Sequence, residues 1–324
     1  MALRLGLVGG GWISRQHLEA LERLGRTQLV GVVARTAETA EAVTARWGGK
    51  RFDSVDAMLD RAKPDVVYVA VPPHLAVSIG ERLVDRGIPF LTEKPLAASD
   101  ASGPARLSAA IERAGLVVAV GYHLRALDIL PQLQERLSDA PPHLVLARWL
   151  DSTPGPPWWG RVSQGGGQVV EQATHLYDLA RLLLGEGVVV GAASTRDLLA
   201  SPRGVDVADS TASILRFSRG AIASFANTRR LKAPVIAMEF VSEGSITTFE
   251  KRPDRGQGDW HLRFDDGTTV RAIRAESDPY QTQAAAFLDA VQARDPRRVL
   301  SSYADALKTD RLTRAVVAAT GAPG

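Results

Sequence analysis

The chain has 324 residues, 45% of them hydrophobic and 23% charged, which suits two globular domains and excludes a disordered or fibrous class. The formal net charge is only +3, and the basic clusters Arg229-Arg230-Leu231-Lys232 and Lys251-Arg252 are short and lack interleaved aromatics, which argues against nucleic acid as a partner. There is no cysteine, so disulfides, thiol nucleophiles and cysteine-ligated zinc are excluded.

The apolar run that starts at Leu3 breaks at Gly9-Gly10-Gly11, unlike a signal peptide, and no stretch of 18 apolar residues occurs. The expected location is the cytoplasm, with no membrane partner. Residues 3–8 read as a strand, and residues 12–24 carry helical apolar spacing. Between them stands Gly9-Gly10-Gly11-Trp12-Ile13-Ser14. Gly9 and Gly11 match the first two glycines of a dinucleotide-binding turn. Gly9 permits the tight turn, and Gly11 lets the backbone approach a pyrophosphate at the helix N-terminus, which Trp12 and Ile13 open. Ser14 replaces the third glycine, and its hydroxyl is expected to cap the turn or touch phosphate.

Residues 28–34 are a second strand ending in Val33-Ala34-Arg35-Thr36. An NAD-specific site places a carboxylate here for the ribose hydroxyls, and none is present. Arg35 is expected to stack on adenine and pair with a 2′-phosphate, with Thr36 adding a hydroxyl contact, so NADP is preferred over NAD. A helix over 37–47 follows. Residues 65–71 are a buried strand stopped by Pro72-Pro73, which stiffen a loop able to touch the cofactor. A helix over 77–86, a strand over 88–92, a helix over 105–114 and a strand over 116–120 complete the alternation. That order predicts a right-handed, doubly wound parallel sheet in a first domain, residues 1–122.

Past the strand over 88–92 stands Glu93-Lys94-Pro95. The carboxyl end of a parallel strand faces the ligand crevice, so Lys94 is either a salt-bridge partner or a catalytic cation. Tyr122 and His123 follow the last strand of this domain and either line the crevice or simply pack. Next come a helix over 129–137, with Pro131 in its first turn, and a strand over 144–150. Trp158-Trp159, in a proline-rich loop, suit a carbohydrate or cofactor platform, or a wedge between domains.

The stretch Glu171-Gln172-Ala173-Thr174-His175-Leu176-Tyr177-Asp178 opens an apolar pattern that stops at Gly185. On one helix, Glu171, His175 and Asp178 share a face. Such a set suits acid–base work, with His175 moving a proton and the carboxylates orienting it or binding a substrate hydroxyl. Residues 188–195, 209–217, 222–227, 235–242, 246–249, 260–264 and 268–273 alternate as strands, and helices over 280–294 and 303–319 close the chain. These elements form a second domain, residues 123–324, whose last helix is allowed to pack back on the first. One sheet face must pack on helices. The other needs a partner or a polar surface, and a homodimer or homotetramer through the sheet is one expected answer.

The glycine-rich turn, Glu93-Lys94-Pro95 after a strand, and a second domain carrying His175 and Asp178 together resemble the glucose-fructose oxidoreductase / inositol dehydrogenase / MocA family, over essentially the whole chain. The resemblance implies a Rossmann domain followed by an α/β domain with a large open, mostly antiparallel sheet. It also implies NAD(P)-dependent oxidation or reduction of sugars, polyols and related alcohols. Lys94 falls on a functional position, Glu93 on the cofactor side of the same motif, and the Lys94-Pro95 peptide is open to the cis isomer. His175 falls on the family's catalytic histidine and Asp178 on its later aspartate. Glu171 and Ala173 depart from the family's Asp and Gly. Two other readings stay open: a cofactor-binding sensor or regulatory protein without turnover, and an enzyme of the same family acting on a diol, an imine or a tetrapyrrole. No nucleophile elbow, P-loop or H-E-x-x-H occurs and the histidines are scattered, so no metal is expected.

Overall fold

The computed structural model describes residues 2–196, 204–252 and 259–321; the side chain of Arg252 and the last residues of the expected 123–324 domain lie outside them. The chain divides into two compact units, Met1–Ala126 with Ser277–Leu307, and Leu127–Glu276 with Lys308–Gly324.

The first unit begins with β1 (Leu3–Gly9), α1 (Trp12–Leu24), β2 (Thr27–Val33), α2 (Ala37–Trp47), β3 (Lys50–Arg51), α3 (Val55–Ala62), β4 (Val66–Ala70), α4 (Pro73–Asp85), β5 (Phe90–Thr92), α5 (Gly103–Ala114) and β6 (Val118–Val120). The strands form one parallel sheet in the order β3-β2-β1-β4-β5-β6. All five residues of β4 are buried, as expected for a central parallel strand covered on both faces. Val66 and Tyr68 join the core cluster of Leu5, Leu7 and Leu18, while Val67 and Val69 join that of Val8, Met58 and Leu107. The two-residue period of the strand thus distributes one apolar run between two cores.

Two elements here are absent from the sequence reading, the short strand β3 and the helix α3. Two residues of strand give no periodicity to detect. The signals for α3 were present: Ser54 accepts a hydrogen bond from Ala57 N–H as its N-cap, and Val55, Met58, Leu59 and Ala62 form its buried stripe. Pro72 and Pro73 open α4 rather than a loop before residue 77, because proline at the first helical position gives up no intrahelical bond.

The second unit contains α6 (Leu130–Asp139), β7 (Leu144–Ser152), the one-turn helices α7 (Val162–Gly165) and α8 (Gln168–Glu171), α9 (Thr174–Leu184), and the strands β8 (Gly187–Thr195), β9 (Ser210–Phe217), β10 (Ile222–Thr228), β11 (Arg230–Ser242), β12 (Ser245–Arg252), β13 (Asp259–Asp265) and β14 (Val270–Arg274). The strands build an eight-stranded sheet, β14-β13-β12-β11-β7-β10-β9-β8, antiparallel except for β7 beside β10. Alternation along β9 and β10 turns Leu215, Phe217, Ala223 and Phe225 inward and leaves Ile214 and Ile222 outward. On the inner face Tyr177 of α9 stacks on Phe225 at 4.1 Å and shares a hydrogen bond with Ser213 at 2.9 Å. Burial pushes the Tyr177 phenol up to about 12, against the opposing pull of its Ser213 and Asn227 neighbours.

The chain closes with α10 (Pro279–Ala293) and α11 (Tyr303–Ala319). By packing, α10 groups with the first unit. Ala284, Phe287 and Leu288 pack with Tyr68 and Leu7 in the first unit's core, Gln283 donates to the Val120 carbonyl, and Val120 N–H donates to Ser301. Helical periodicity reveals that α10 has an apolar face but not which core receives it.

Candidate active site

In a sheet of order 3-2-1-4-5-6 the ligand crevice lies outside the carboxyl ends of β1 and β4, where the winding reverses. The Gly9–Gly11 turn follows β1 at that point. Gly9 has φ +129°, and a Cβ there would stand 2.2 Å from the Ala70 carbonyl oxygen, so only glycine fits. A Cβ on Gly11 would meet nothing within 4 Å. Gly11 gives α1 no side-chain cap, and the first turn of α1 carries no acidic residue. The unpaired N–H groups of that turn are therefore suited to an anion. Trp12 is exposed and Ile13 half-buried at this end of the helix. Ser14 is fully buried, with Oγ making no hydrogen bond among the described residues, and lies against Gly9. It sits at the helix–strand contact, the place of the fingerprint's third glycine, and not on the open phosphate side.

At the end of β2, Arg35 and Thr36 are exposed and border a groove of about 140 Å³ with Arg51, Phe52 and Asp53. Thr36 caps α2, its hydroxyl accepting from Thr39 N–H at 3.3 Å. No carboxylate stands at the end of β2. Glu38, in the first turn of α2, is held below the usual carboxylate range by its own backbone N–H first and by the Thr36 hydroxyl next. Arg51 is a second cation that sequence reading missed. It ends the short strand β3 and lies 3.4 Å from Asp53, two residues further on.

Glu93 and Lys94 follow β5 directly. Glu93 is 9% exposed and pairs with His17 at 2.7 Å; Lys94 is half-buried, and the Lys94-Pro95 peptide is cis. Tyr122 is 1% exposed and belongs to the core with Val120 and Tyr303, so its place is in packing rather than on a crevice wall. His123 is half-buried and stacks on Tyr280 at 5.1 Å.

In the second unit the expected single helix through Glu171, His175 and Asp178 is broken. The one-turn helix α8 ends at Glu171, Gln172 and Ala173 turn, and α9 starts at Thr174. Ala173 has φ −68°, a conformation alanine adopts without strain, so glycine is not needed there. Glu171 accepts a hydrogen bond from the indole N–H of Trp159 at 2.6 Å. Trp159 is itself only 1% exposed, which makes it a buried prop for Glu171 and not a platform for a sugar ring. Trp158 is half-buried and packs beside Gly165. His175 is 4% exposed, with its ring stacked on Trp149 of β7 at 5.7 Å and 20°. Asp178, one turn further on, accepts from Thr309 of α11 at 2.9 Å, and Arg181 donates to the same hydroxyl at 2.7 Å. Trp149 and Thr309 were missed in the sequence. Trp149 read only as an alternating strand residue, and Thr309 lies 131 positions from Asp178.

A parallel sheet of this order, a glycine turn shaped for a pyrophosphate and an uncapped helix N-terminus are the features of a dinucleotide-binding domain. The family model described as the oxidoreductase family with an NAD-binding Rossmann fold matches residues 3–122, and that described as the GFO/IDH/MocA C-terminal domain matches residues 141–247. Together they span well over half of the chain, and the protein belongs to the GFO/IDH/MocA family. Among its relatives, UDP-N-acetylglucosamine 3-dehydrogenase of Acidithiobacillus ferrooxidans is 28% identical over 73% of this chain and 70% of its own. Inositol 2-dehydrogenase of Rhizobium meliloti is 25% identical over 71% of this chain and 70% of its own. In fold, the chain matches a 3-ketoreductase from Actinomadura kijaniata, solved with NADP and TDP-benzene, with a TM-score of 0.87 at 22% identity over 98% of each chain. The protein is thus an NAD(P)-dependent oxidoreductase with a Rossmann domain and a mostly antiparallel second sheet. Among the described residues no helix is long and apolar enough to cross a membrane.

Proposed function

We propose that the protein transfers a hydride between a nicotinamide dinucleotide and a CH–OH carbon of a sugar, polyol or related alcohol, with NADP as the preferred partner. The observation that carries this reading is Lys94 at the carboxyl end of β5, two strands from the glycine turn, in the cofactor half of the molecule. Gly9, Gly11 and the first turn of α1 hold the pyrophosphate, Arg35 and Arg51 face the adenosine end, and Pro72 and Pro73 form the neighbouring wall after β4. When bound, the dinucleotide supplies the hydride acceptor or donor. His175 takes the hydroxyl proton in oxidation and returns it in reduction. The Lys94 ammonium hydrogen-bonds the reacting oxygen and stabilises its developing negative charge. Trp149 supports the His175 ring from below. Glu171, fixed by Trp159, presents its carboxylate to a neighbouring substrate hydroxyl, and Asp178 anchors the helix that carries His175.

The activities of the relatives make the 3-position of a nucleotide-linked sugar the first substrate class to screen, with free polyols second. The screen follows reduced nicotinamide by its absorbance in both directions. Turnover of such compounds with NADP supports the reading, while binding of the dinucleotide with no turnover of any alcohol or ketone would overturn it in favour of a sensor.

The NADP preference has its own test. Arg35→Asp removes the cation offered to a 2′-phosphate and adds a carboxylate for the ribose hydroxyls, so the ratio of NADPH to NADH affinity is expected to fall by about 100-fold. Fluorescence titration of the protein's tryptophans measures both; an unchanged ratio removes Arg35 from the assignment. The outward sheet face, with Val188, Val190, Ile214 and Ile222 exposed, is proposed as the contact between copies in a homodimer or homotetramer. Val190→Lys is expected to shift sedimentation toward monomer, and an unshifted oligomer would place the contact elsewhere. A cytoplasmic location belongs to the same reading and is checked by cell fractionation.

A further inference from the structure

We infer that His17 is a positioning residue for Lys94 and acts through the carboxylate of Glu93. The inference rests on the role given to Lys94 above. His17 lies on the buried face of α1 and is 1% exposed. Its Nε2 stands 2.7 Å from Glu93 Oε1, so Nε2 carries the hydrogen and the carboxylate accepts it. The imidazole is walled by Tyr68 and Tyr280, which meet it edge-on at 5.3 and 5.5 Å. It has no room to turn without displacing an aromatic ring.

Gly121 also lies against the carboxylate. A Cβ on Gly121 would stand 2.5 Å from Glu93 Oε1, although its backbone is not in the left-handed region that demands glycine. What this glycine provides is therefore space for the carboxylate. The main chain is held as well: Glu93 N–H donates to the Val69 carbonyl at 2.9 Å, and Gly121 N–H donates to that of Thr92 at 2.9 Å. With backbone and carboxylate both fixed, the direction in which the next side chain, Lys94, leaves the strand end is fixed too. A buried carboxylate that loses its donor must swing or recruit water, and either movement turns the peptide that carries Lys94. The proposed reaction gives His17 no other task. Its placement ties the helix that receives the dinucleotide to the strand end that presents the lysine.

The test uses the full chain with its lysines converted to ¹³C-dimethyl-lysine. Lys94 then gives one of few methyl signals, the others coming from the N-terminus and Lys50, Lys63, Lys232, Lys251 and Lys308, and Lys94→Arg assigns it by loss. In His17→Leu the Lys94 signal is expected to move while the other lysines stay, with NADPH affinity within about twofold of the parent and kcat lower by 10- to 100-fold, the scale of a misplacement near 1 Å. In His17→Gln, whose amide nitrogen can occupy the place of Nε2, the signal and kcat are expected to return most of the way. Gly121→Ala displaces the same carboxylate by steric overlap and should move the same signal even if His17→Leu does not fold. An unmoved Lys94 signal in a folded His17→Leu or Gly121→Ala protein overturns the inference, as does equal displacement in His17→Gln. Because the signal is read without substrate, a failure of the catalytic role of Lys94 would show separately, as undiminished turnover in Lys94→Ala.

Discussion

Replacing Lys94 by alanine is expected to lower kcat by about 10²–10³-fold with little change in NADPH affinity, and His175→Ala is expected to cost about 10²–10⁴-fold. The two losses differ in kind. In the proposed reaction Lys94 offers a fixed charge and a hydrogen-bond donor to an oxygen whose negative charge grows during hydride transfer, so its removal should fall on the transition state rather than on binding. His175 is proposed to exchange a proton, so its loss should also flatten one limb of the pH–rate profile, which the lysine variant should retain. Steady-state kinetics on the substrate found by the screen, with fluorescence titration of NADPH on the same preparations, separates the two. Retained turnover in either variant would refute the corresponding role. A matched loss of NADPH affinity would instead mean that the residue serves the cofactor.

The largest stability effect is expected at Asp209, in the second unit. Its Oδ1 accepts from Arg229 Nη2 at 2.6 Å and from Arg230 Nε at 2.8 Å, and the side chains of Asp209 and Arg229 are 4% and 2% exposed. Asp209→Ala leaves the Arg229 guanidinium buried without this carboxylate; the Ala208 carbonyl at 3.2 Å and the Thr153 hydroxyl at 3.0 Å are neutral acceptors and do not replace its charge. Breaking a buried pair from one side costs about 3 kcal/mol or more, since the remaining charge keeps its desolvation penalty. The unfolding midpoint should fall by roughly 6 °C or more, read by differential scanning calorimetry. Asp209→Asn keeps a neutral acceptor and should lose less. Asp60→Ala, at the exposed pair with Arg86, should leave the midpoint in place. An Asp209→Ala protein as stable as its parent would show that the second unit does not depend on this cluster.

Sequence alone determined the alternating strands and helices of the first unit's parallel sheet, and it singled out the side chains to which the proposed chemistry is assigned. Short apolar runs alternating with helical patterns admit few topologies. The local geometry at Gly9 depends only on neighbours that every such sheet supplies. Lys94 and His175 stand out because charge at the end of an apolar strand and imidazole at a helix start are visible without any contact map. What the tertiary structure alone decided are relations between distant residues. The partner of Glu93 is His17, 76 positions away, and that of Asp178 is Thr309, 131 positions away. The break between Glu171 and Thr174 turns three residues with apparent helical spacing into members of two short helices. Trp159 and Tyr122 have the composition of binding-site residues, but packing buries them. The chain returns Ser277–Leu307 to the first unit because the apolar face of α10 is completed there by Tyr68 and Leu7. Periodicity and residue type are local quantities, whereas a hydrogen-bond partner, a core and a unit boundary are settled only when segments far apart in the chain compete for the same buried surface.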